Sequence, residues 1–283
     1  MKRSISVTSY SWEDGPSRTA AHLRELATLA DEAGLDTLWV PDHLLQVDPS
    51  ASLDEPMLEA YTTLGFLAAA TTRVQLGTMV TWATIRPPAL LVKLVTTLDV
   101  LSGGRAWLGV GIGYREDEAT MTGLPFPPTA ERYQRLEELL QLADHMWAGD
   151  RSPFTGPHHH LSEPISEPRP IRRPRVLIGG TGERRTLPLV AQYADACNLF
   201  DVPDGGATVA RKLEVLERSC ERIGRDPDEI EVTLATRVAP GETAAQLAER
   251  CADLAERGID HVVFLTTGPW QRGGDLDVLL EAA

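Results

Sequence analysis

The chain has 283 residues, a formal net charge of −14 and a hydrophobic share of 42%. A net charge of this sign repels phosphate backbones and anionic lipid surfaces, so it argues against broad nucleic-acid binding and against docking on a membrane. The apolar share is too high for a disordered chain, and the length suits either one (β/α)8 barrel or two smaller domains. Any anionic ligand must therefore be held by local groups that act against the overall charge.

The cysteines Cys197, Cys220 and Cys251 are widely spaced and form no CxxC pair. An odd count cannot pair fully within one chain, so we interpret them as reduced thiols of a cytoplasmic protein. The N-terminus has no long apolar stretch after its basic residues, which argues against a signal peptide. No run approaches the roughly 20 apolar residues that a membrane span needs.

Strand-like and helix-like patterns alternate from the N-terminus onward. A short apolar run over 5–8 predicts the first strand, and apolar residues at helical spacing over 17–33 predict a helix that Gly34 ends. The continuous apolar run over 37–40 is typical of a strand that is covered on both faces. The first half is completed by a helix over 57–72, a strand over 74–80, a helix over 87–101 and a strand over 105–110.

The second half continues the same alternation. It is predicted to contain a helix over 130–147, a strand over 176–178, a helix over 186–193, a strand over 196–200, a helix over 209–223, a strand over 230–234, a helix over 244–256, a strand over 261–265 and a short helix over 274–281. Eight strand–helix units in strict alternation predict a parallel sheet closed as a (β/α)8 TIM barrel. An open doubly wound sheet is the alternative, but no Gly-rich dinucleotide turn follows the first strand.

Two stretches interrupt this rhythm. One covers 41–56, after the second strand, and the other is the proline-rich segment 149–174, which precedes the fifth barrel strand. A segment of this length without regular structure predicts an insertion that acts as a lid, and a surface excursion with a small hairpin is the alternative. No domain boundary is convincing, so residues 1–283 are predicted to form a single domain.

The strand ends are where a barrel of this kind carries its active site. Asp42 and His43 directly follow the second strand. A histidine there can accept or donate a proton near neutral pH, which makes the pair a candidate catalytic site. The alternative is that Asp42 caps a turn and His43 packs beneath the loop.

Glycine turns follow the fourth and fifth strands, at Gly111-Ile112-Gly113 and at Gly179-Gly180-Thr181-Gly182. Glycines let backbone N–H groups approach a ligand, and a helix that starts after the second turn favours an anion there, beside Arg184 and Arg185. Each turn can also be a simple tight connection between strand and helix. No P-loop, HExxH or GxSxG motif occurs, so those enzyme classes are unsupported.

Histidines and tryptophans form two further groups. The consecutive His158, His159 and His160 would point to alternating faces of an extended chain, so no metal site is predicted. Three tryptophans follow the first, third and eighth strands, where they are predicted to wall a flat apolar pocket. These are Trp12, Trp82 and Trp270. The tryptophans within elements, predicted to be core, are Trp39, Trp107 and Trp147.

The chain resembles the luciferase-like monooxygenase superfamily, and within it the branch that uses the deazaflavin coenzyme F420. The resemblance is carried, among others, by TLWVPDHLL (37–45), LVTTLDVLSGGRAWLGVGIGY (94–114) and RVLIGGTGERRTLPLVAQYADACNLF (175–200). It implies a (β/α)8 barrel with an insertion before strand five, a cytoplasmic homodimer, and a flavin-like cofactor, F420 or alternatively FMN, at the strand ends.

The resemblance also implies roles for individual residues. His43 would lie near the reactive carbon of the cofactor, and Asp42 would contact the cofactor. A bulge with a non-prolyl cis peptide at Met79-Val80 would support the central ring, and the two glycine turns would hold the ribityl and phosphate portion. The cofactor-binding residues implied are Asp42, Met79, Val80, Gly111, Ile112, Gly113, Tyr114, Gly179, Gly180, Thr181 and Asn198.

One departure from the family pattern bears on the substrate. Some deazaflavin enzymes carry a glutamate directly after the glycine turn of strand four, as a proton donor, whereas Tyr114 stands here and 116–118 supply acidic residues further on. This argues against a sugar-phosphate dehydrogenase. The main hypothesis is an oxidoreductase that transfers a hydride between F420 and a small organic substrate. The alternatives are a reduced-FMN-dependent monooxygenase and a non-catalytic flavin-binding paralogue.

Overall fold

The computed structural model describes residues 1–282. Its strands are β1 (Lys2–Ser6), β2 (Thr37–Val40), β3 (Gln75–Thr78), β4 (Thr81–Trp82), β5 (Trp107–Gly111), β6 (Phe154–Thr155), β7 (His160–Leu161), β8 (Arg175–Gly179), β9 (Ala196–Phe200), β10 (Glu231–Arg237) and β11 (His261–Leu265). Its α-helices are α1 (Thr19–Glu32), α2 (Ala60–Ala70), α3 (Pro88–Ser102), α4 (Glu116–Thr122), α5 (Thr129–Ala148), α6 (Thr186–Tyr193), α7 (Ala207–Glu221), α8 (Ala244–Glu256) and α9 (Asp275–Ala282).

The main sheet is parallel and closes on itself. Its nine strands follow the order β3-β2-β1-β11-β10-β9-β8-β5-β4, and an isolated parallel bridge from Leu76 to Ala106 brings β3 back toward β5. Because β3 and β4 are two parts of one barrel strand, interrupted at a cis peptide between Met79 and Val80, the barrel has eight strands in the sense of the fold. The predicted TIM barrel is confirmed, and the open doubly wound sheet is excluded.

The barrel interior is filled by large apolar side chains. Trp39 and Trp107 are fully buried and meet edge to face with ring centroids 5.5 Å apart. Gly77 makes this possible, since a Cβ there would lie 2.6 Å from the Trp39 ring and 2.8 Å from Cβ of Trp107. Gly109 lets β5 approach the backbone of β3 closely, because a Cβ at this position would lie 1.8 Å from the Thr78 carbonyl oxygen.

Element boundaries differ from the sequence prediction where a polar contact decides them. Helix α2 begins at Ala60, later than predicted, because the Glu59 side chain accepts hydrogen bonds from the backbone N–H groups of Tyr61 and Thr62. Strand β1 begins at Lys2, since its pairing with β11 extends to the Lys2–His261 register. Helix α4 was not predicted, because seven residues are too few to show a helical period.

The 149–174 segment packs against the outer faces of α3 and α5. Its strands β6 and β7 form a small antiparallel hairpin. Glu138 of α5 accepts a hydrogen bond from the backbone N–H of His158 at 2.7 Å, and Asp99 of α3 accepts one from that of Ile171 at 2.7 Å. The segment thus contains a small hairpin, and none of its side chains lines the strand-end cavity described below.

The structure also bears on membrane-spanning helices and on the state of the cysteines. Within residues 1–282, no helix has both the length and the apolar character that crossing a bilayer requires. Cys197, Cys220 and Cys251 are buried free thiols.

Candidate active site

A cavity of about 590 Å³ opens at the carboxyl ends of the barrel strands. It is the place at which a TIM barrel gathers residues from many separate loops. The structure brings most of the predicted site residues into its wall. They are His43, Met79, Val80, Trp82, Gly111, Ile112, Gly113, Tyr114, Gly179, Gly180, Thr181 and Asn198.

Three predicted residues lie outside this wall. The indole N–H of Trp12 donates to the Trp270 carbonyl at 3.3 Å, and that of Trp270 donates to the Ser6 carbonyl at 2.9 Å. Both rings are buried in the main core, where backbone acceptors satisfy their N–H groups. The third residue, Asp42, is fully buried beneath the cavity. Of the three tryptophans predicted to wall the pocket, the structure places only Trp82 there.

His43 is oriented by a buried carboxylate. Its Nδ1 atom lies 2.5 Å from Oε2 of Glu118, a residue of α4 that is 1% exposed. An ionised carboxylate only accepts hydrogen bonds, so Nδ1 carries the hydrogen of the neutral ring. Nε2 is then the nitrogen with a free lone pair, and the ring forms part of the cavity wall. This arrangement suits proton exchange with a ligand in the cavity.

Glu118 is held ionised by its own hydrogen bonds. Burial alone would raise the pKa of this carboxyl group, but the hydrogen bond from His43 and those from the backbone N–H groups of Leu44 and Leu45 outweigh it. The pKa of Glu118 therefore lies below its ordinary value. Because Oε1 accepts from Leu44 N at 2.6 Å, the same carboxylate also fixes the loop that carries His43.

The Asp42 side chain lies outside the cavity wall, unlike that of His43, and is held by Arg86 and Thr81. Its Oδ1 accepts from Nη2 of Arg86 at 3.0 Å, and its Oδ2 accepts from the Thr81 hydroxyl at 2.7 Å. Burial disfavours the charged form of Arg86, yet its hydrogen bonds to Asp42 and Glu59 raise the pKa of the guanidinium above its usual value. The Asp42 carboxylate is thus occupied by protein partners and joins the end of β2 to the start of β4.

Glycines shape the cavity floor around Val80. A Cβ on Gly179 would lie 2.9 Å from both Val80 methyl groups, and one on Gly111 would lie 3.0 Å from one of them. At Gly113, φ is +73° and a Cβ would lie 2.8 Å from the Trp82 indole. Larger residues at these positions would displace Val80 or the Trp82 indole. The glycines of both turns therefore leave the space that these two side chains occupy.

The turn after β8 offers hydrogen-bond donors to an anion. Within residues 1–282, the backbone N–H groups of Gly180, Thr181 and Gly182 have no protein acceptor. The hydroxyl groups of Tyr133 and Thr186 bond to each other at 2.8 Å beside them, and the Arg185 guanidinium lies 5.3 Å from the Tyr133 ring. The described part of the cavity wall contains no carboxylate. This set of donors fits a phosphodiester or phosphate group.

A second polar cluster lies at the opposite, N-terminal end of the barrel. Ser4 Oγ is hydrogen-bonded to Nε2 of His261, whose Nδ1 lies 2.7 Å from Oε1 of Glu231. The order of groups is that of a hydrolase triad, but Ser4 and His261 are both fully buried. Glu231 also pairs with Lys2 and Arg175, each at 2.8 Å. These cations already compensate the carboxylate, so we assign the cluster a structural role.

Glu118 and Arg86 are the site residues that sequence reasoning missed. The sequence shows three consecutive acidic residues at 116–118, and only the start of α4 decides which of them faces inward. Arg86 follows the third barrel strand closely, but its partner Asp42 lies 44 residues earlier in the sequence.

Comparisons with known proteins show the family to which the chain belongs. The family described as luciferase-like monooxygenase matches residues 1–270, and the chain belongs to this family. It is 32% identical over 237 residues to the F420-dependent glucose-6-phosphate dehydrogenase of Kineococcus radiotolerans, covering 80% of this chain and 66% of that one. It is 30% identical over 178 residues to the pyrimidine monooxygenase RutA of Stutzerimonas stutzeri, covering 60% and 48%.

A solved structure confirms the architecture. An F420-dependent secondary alcohol dehydrogenase, in complex with an F420-acetone adduct, superimposes with a TM-score of 0.82 at 19% identity, covering 100% of this chain and 98% of that one. At this identity the similarity shows the fold. The chain spans just under two thirds of the length of the first curated relatives that it matches.

Proposed function

We propose that this protein is an oxidoreductase that uses F420 and transfers a hydride between the deazaflavin and a small organic substrate. The observation that carries the proposal is the His43–Glu118 pair, which leaves Nε2 of a histidine free on a cavity whose described wall holds no carboxylate. The F420-dependent relatives support the choice of cofactor. A catalytic pair of this kind argues against a non-catalytic paralogue.

Individual residues would have the following roles in cofactor binding and proton transfer. Bound F420 supplies the carbon that accepts or donates the hydride. Met79, Val80 and Ile112 would support its ring, while the N–H groups of 180–182 and the hydroxyls of Tyr133 and Thr186 would bind its phosphodiester. His43 Nε2 would accept the proton of a substrate hydroxyl group, or return it to a carbonyl oxygen. Glu118 would stabilise the imidazolium that results.

A titration of the purified protein with F420 and, separately, with FMN tests the proposal. We expect F420 to bind with quenching of its fluorescence. Gly182→Ala should weaken this binding about tenfold or more, or about 1.4 kcal/mol, because its Cβ would lie 2.7 Å from Thr186 Oγ1. Gly65→Ala is the matched control, since a Cβ there meets nothing within 4 Å.

The reduced-FMN-dependent monooxygenase is the second candidate, and the RutA relative favours it. It needs the same barrel and the same phosphate donors. Binding of FMN without binding of F420, together with oxygen consumption when reduced FMN is supplied, would replace the first proposal by this one.

We further infer a homodimer that works in the cytoplasm on a small-molecule substrate. Leu90 and Leu101 are 50% and 69% exposed on one face of α3, and Leu94 lies between them. A second copy of the chain would cover this stripe, and the buried thiols suit a reducing compartment. Light scattering should give the dimer mass, and Leu101→Lys should lower it. Ile223→Lys, at a site 55% exposed in the turn after α7, should leave it unchanged.

A further inference from the structure

We infer that the substrate is an uncharged carbonyl compound, or the matching alcohol, with an apolar carbon skeleton, and that phosphorylated sugars are excluded. This inference rests on the proposed function, because it concerns the same cavity. It departs from the activity that the first curated relatives are named for, which is the dehydrogenation of glucose 6-phosphate.

The part of the wall nearest His43 is apolar and aromatic. The strand order places the ends of β2, β4 and β5 on one arc of the barrel, together with His43, Val47, Trp82 and Tyr114. Trp82 and Tyr114 meet the His43 ring edge to face, with centroids 5.4 and 5.7 Å apart. Tyr114 is 69% exposed, and partial desolvation raises its pKa, so its hydroxyl stays neutral at physiological pH. A carbon skeleton fits against these rings, with its oxygen at Nε2 of His43.

No cationic side chain is part of the described cavity wall. Three guanidiniums at this end of the barrel have other partners, whereas Arg185 lies beside the turn after β8, against the Tyr133 ring. Arg86 is paired with Asp42 and Glu59, Arg115 with Asp117, and Arg237 with Asp48.

The guanidinium of Arg132 is also hydrogen-bonded to protein groups. It donates to the carbonyls of Ile112, Gly113 and Pro127 and to the Thr129 hydroxyl. A sugar phosphate beside His43 would therefore lose its hydration without gaining a cation, which is unfavourable for a dianion. The free donors after β8 are on the cofactor side, where the phosphodiester of F420 requires them.

The reaction is balanced by the groups named. In the oxidative direction the carbinol C–H bond breaks and its hydrogen leaves with both electrons as a hydride to the deazaflavin. The O–H bond breaks, its proton passes to His43 Nε2, and the C=O bond forms. The substrate is thus oxidised by two electrons and the deazaflavin is reduced by the same two. In the reductive direction each transfer is reversed.

Kinetics with F420 and calorimetry test the inference together. We expect kcat/KM for cyclohexanol, or for cyclohexanone with reduced F420, to exceed that for glucose 6-phosphate by about 100-fold or more. Calorimetry of the F420-loaded protein should show binding of cyclohexanone and none of glucose 6-phosphate. Val47→Lys, which puts a cation beside His43, should create binding of inorganic phosphate, and Ile223→Lys should not.

The outcomes separate this inference from the proposed function. If F420 binds and glucose 6-phosphate is used as well as the neutral compounds, or is bound in preference to them, the substrate class is wrong and the cofactor assignment stands. If no neutral alcohol or ketone is bound or turned over, the substrate class is wrong as well. If F420 does not bind while cyclohexanone does, the proposed function fails and the specificity of the cavity stands.

Discussion

Nδ1 of His43 lies 2.5 Å from Oε2 of Glu118, and the other oxygen of the same carboxylate accepts the backbone N–H of Leu44 at 2.6 Å. One buried group therefore fixes both the ring and the loop that carries it. His43→Ala removes the group that moves the proton, so we expect kcat to fall about 10²- to 10⁴-fold. F420 affinity should change little. If His43→Ala turned over every active substrate at the parent rate, the role assigned to His43 would be wrong.

Glu118→Gln tests the positioning role separately. The amide is neutral and offers a donor as well as an acceptor, so the ring loses its fixed orientation and its anionic neighbour. We expect kcat to fall about 10- to 100-fold. The KM for the substrate should change little, because Glu118 does not line the described cavity. Glu116→Gln, in the same first turn of α4 but exposed, is the matched control and should leave both quantities unchanged.

Asp42 and Arg86 are expected to act on stability. Asp42→Asn leaves the guanidinium, whose side chain is 13% exposed, without its buried partner. The free energy of unfolding should fall by about 3 kcal/mol. The double variant Asp42→Asn/Arg86→Met should recover part of that loss in urea denaturation, because both charges are then absent. A double variant less stable than Asp42→Asn alone would contradict this coupling.

Gly77→Ala should disturb the barrel interior. Its Cβ would lie 2.6 Å from the Trp39 ring, and that ring is locked against Trp107. We expect the free energy of unfolding to fall by about 1–3 kcal/mol, as for other overpacked cores. Gly65→Ala adds the same methyl group where there is space and should not destabilise. Equal unfolding midpoints for the two variants would show that the interior can adjust.

The ion pairs of Glu231 predict how stability depends on pH. Burial opposes its ionisation, but His261, Lys2 and Arg175 lower the pKa of Glu231 far below its ordinary value in the folded chain. Because the folded pKa is the lower one, the stabilisation is complete above the unfolded pKa, about 4.3. It is lost as pH falls below that value toward the folded pKa. Thermal melts should show Glu231→Gln less stable than the parent at pH 7, with the gap closing toward pH 2.

The matched control for this experiment is Glu217→Gln. Glu217 is exposed on α7, so its charge is screened by solvent and the change should alter the melting curve little at any pH. A gap of the same size for the Glu231 variant at pH 7 and pH 2 would contradict the assignment.

The sequence was sufficient for the barrel because strand and helix periods repeat along it and parallel strands must be covered by helices. It also placed His43 and the glycine turns at the cavity, since a residue directly after a barrel strand has little freedom in position. The orientation of Asp42, the inward face of α4 and the packing of 149–174 could not be predicted. Each depends on a partner distant in sequence, namely Arg86, His43 and Glu138.

The buried cluster of Ser4, His261 and Glu231 stands at the end of the barrel opposite His43. Within residues 1–282 the side-chain partners of this cluster and those of the His43–Glu118 pair do not overlap, and effects of changes at such separated sites add. An engineer can therefore raise heat tolerance by reworking the N-terminal end and broaden substrate scope by reworking the strand-end cavity, without trading one property for the other.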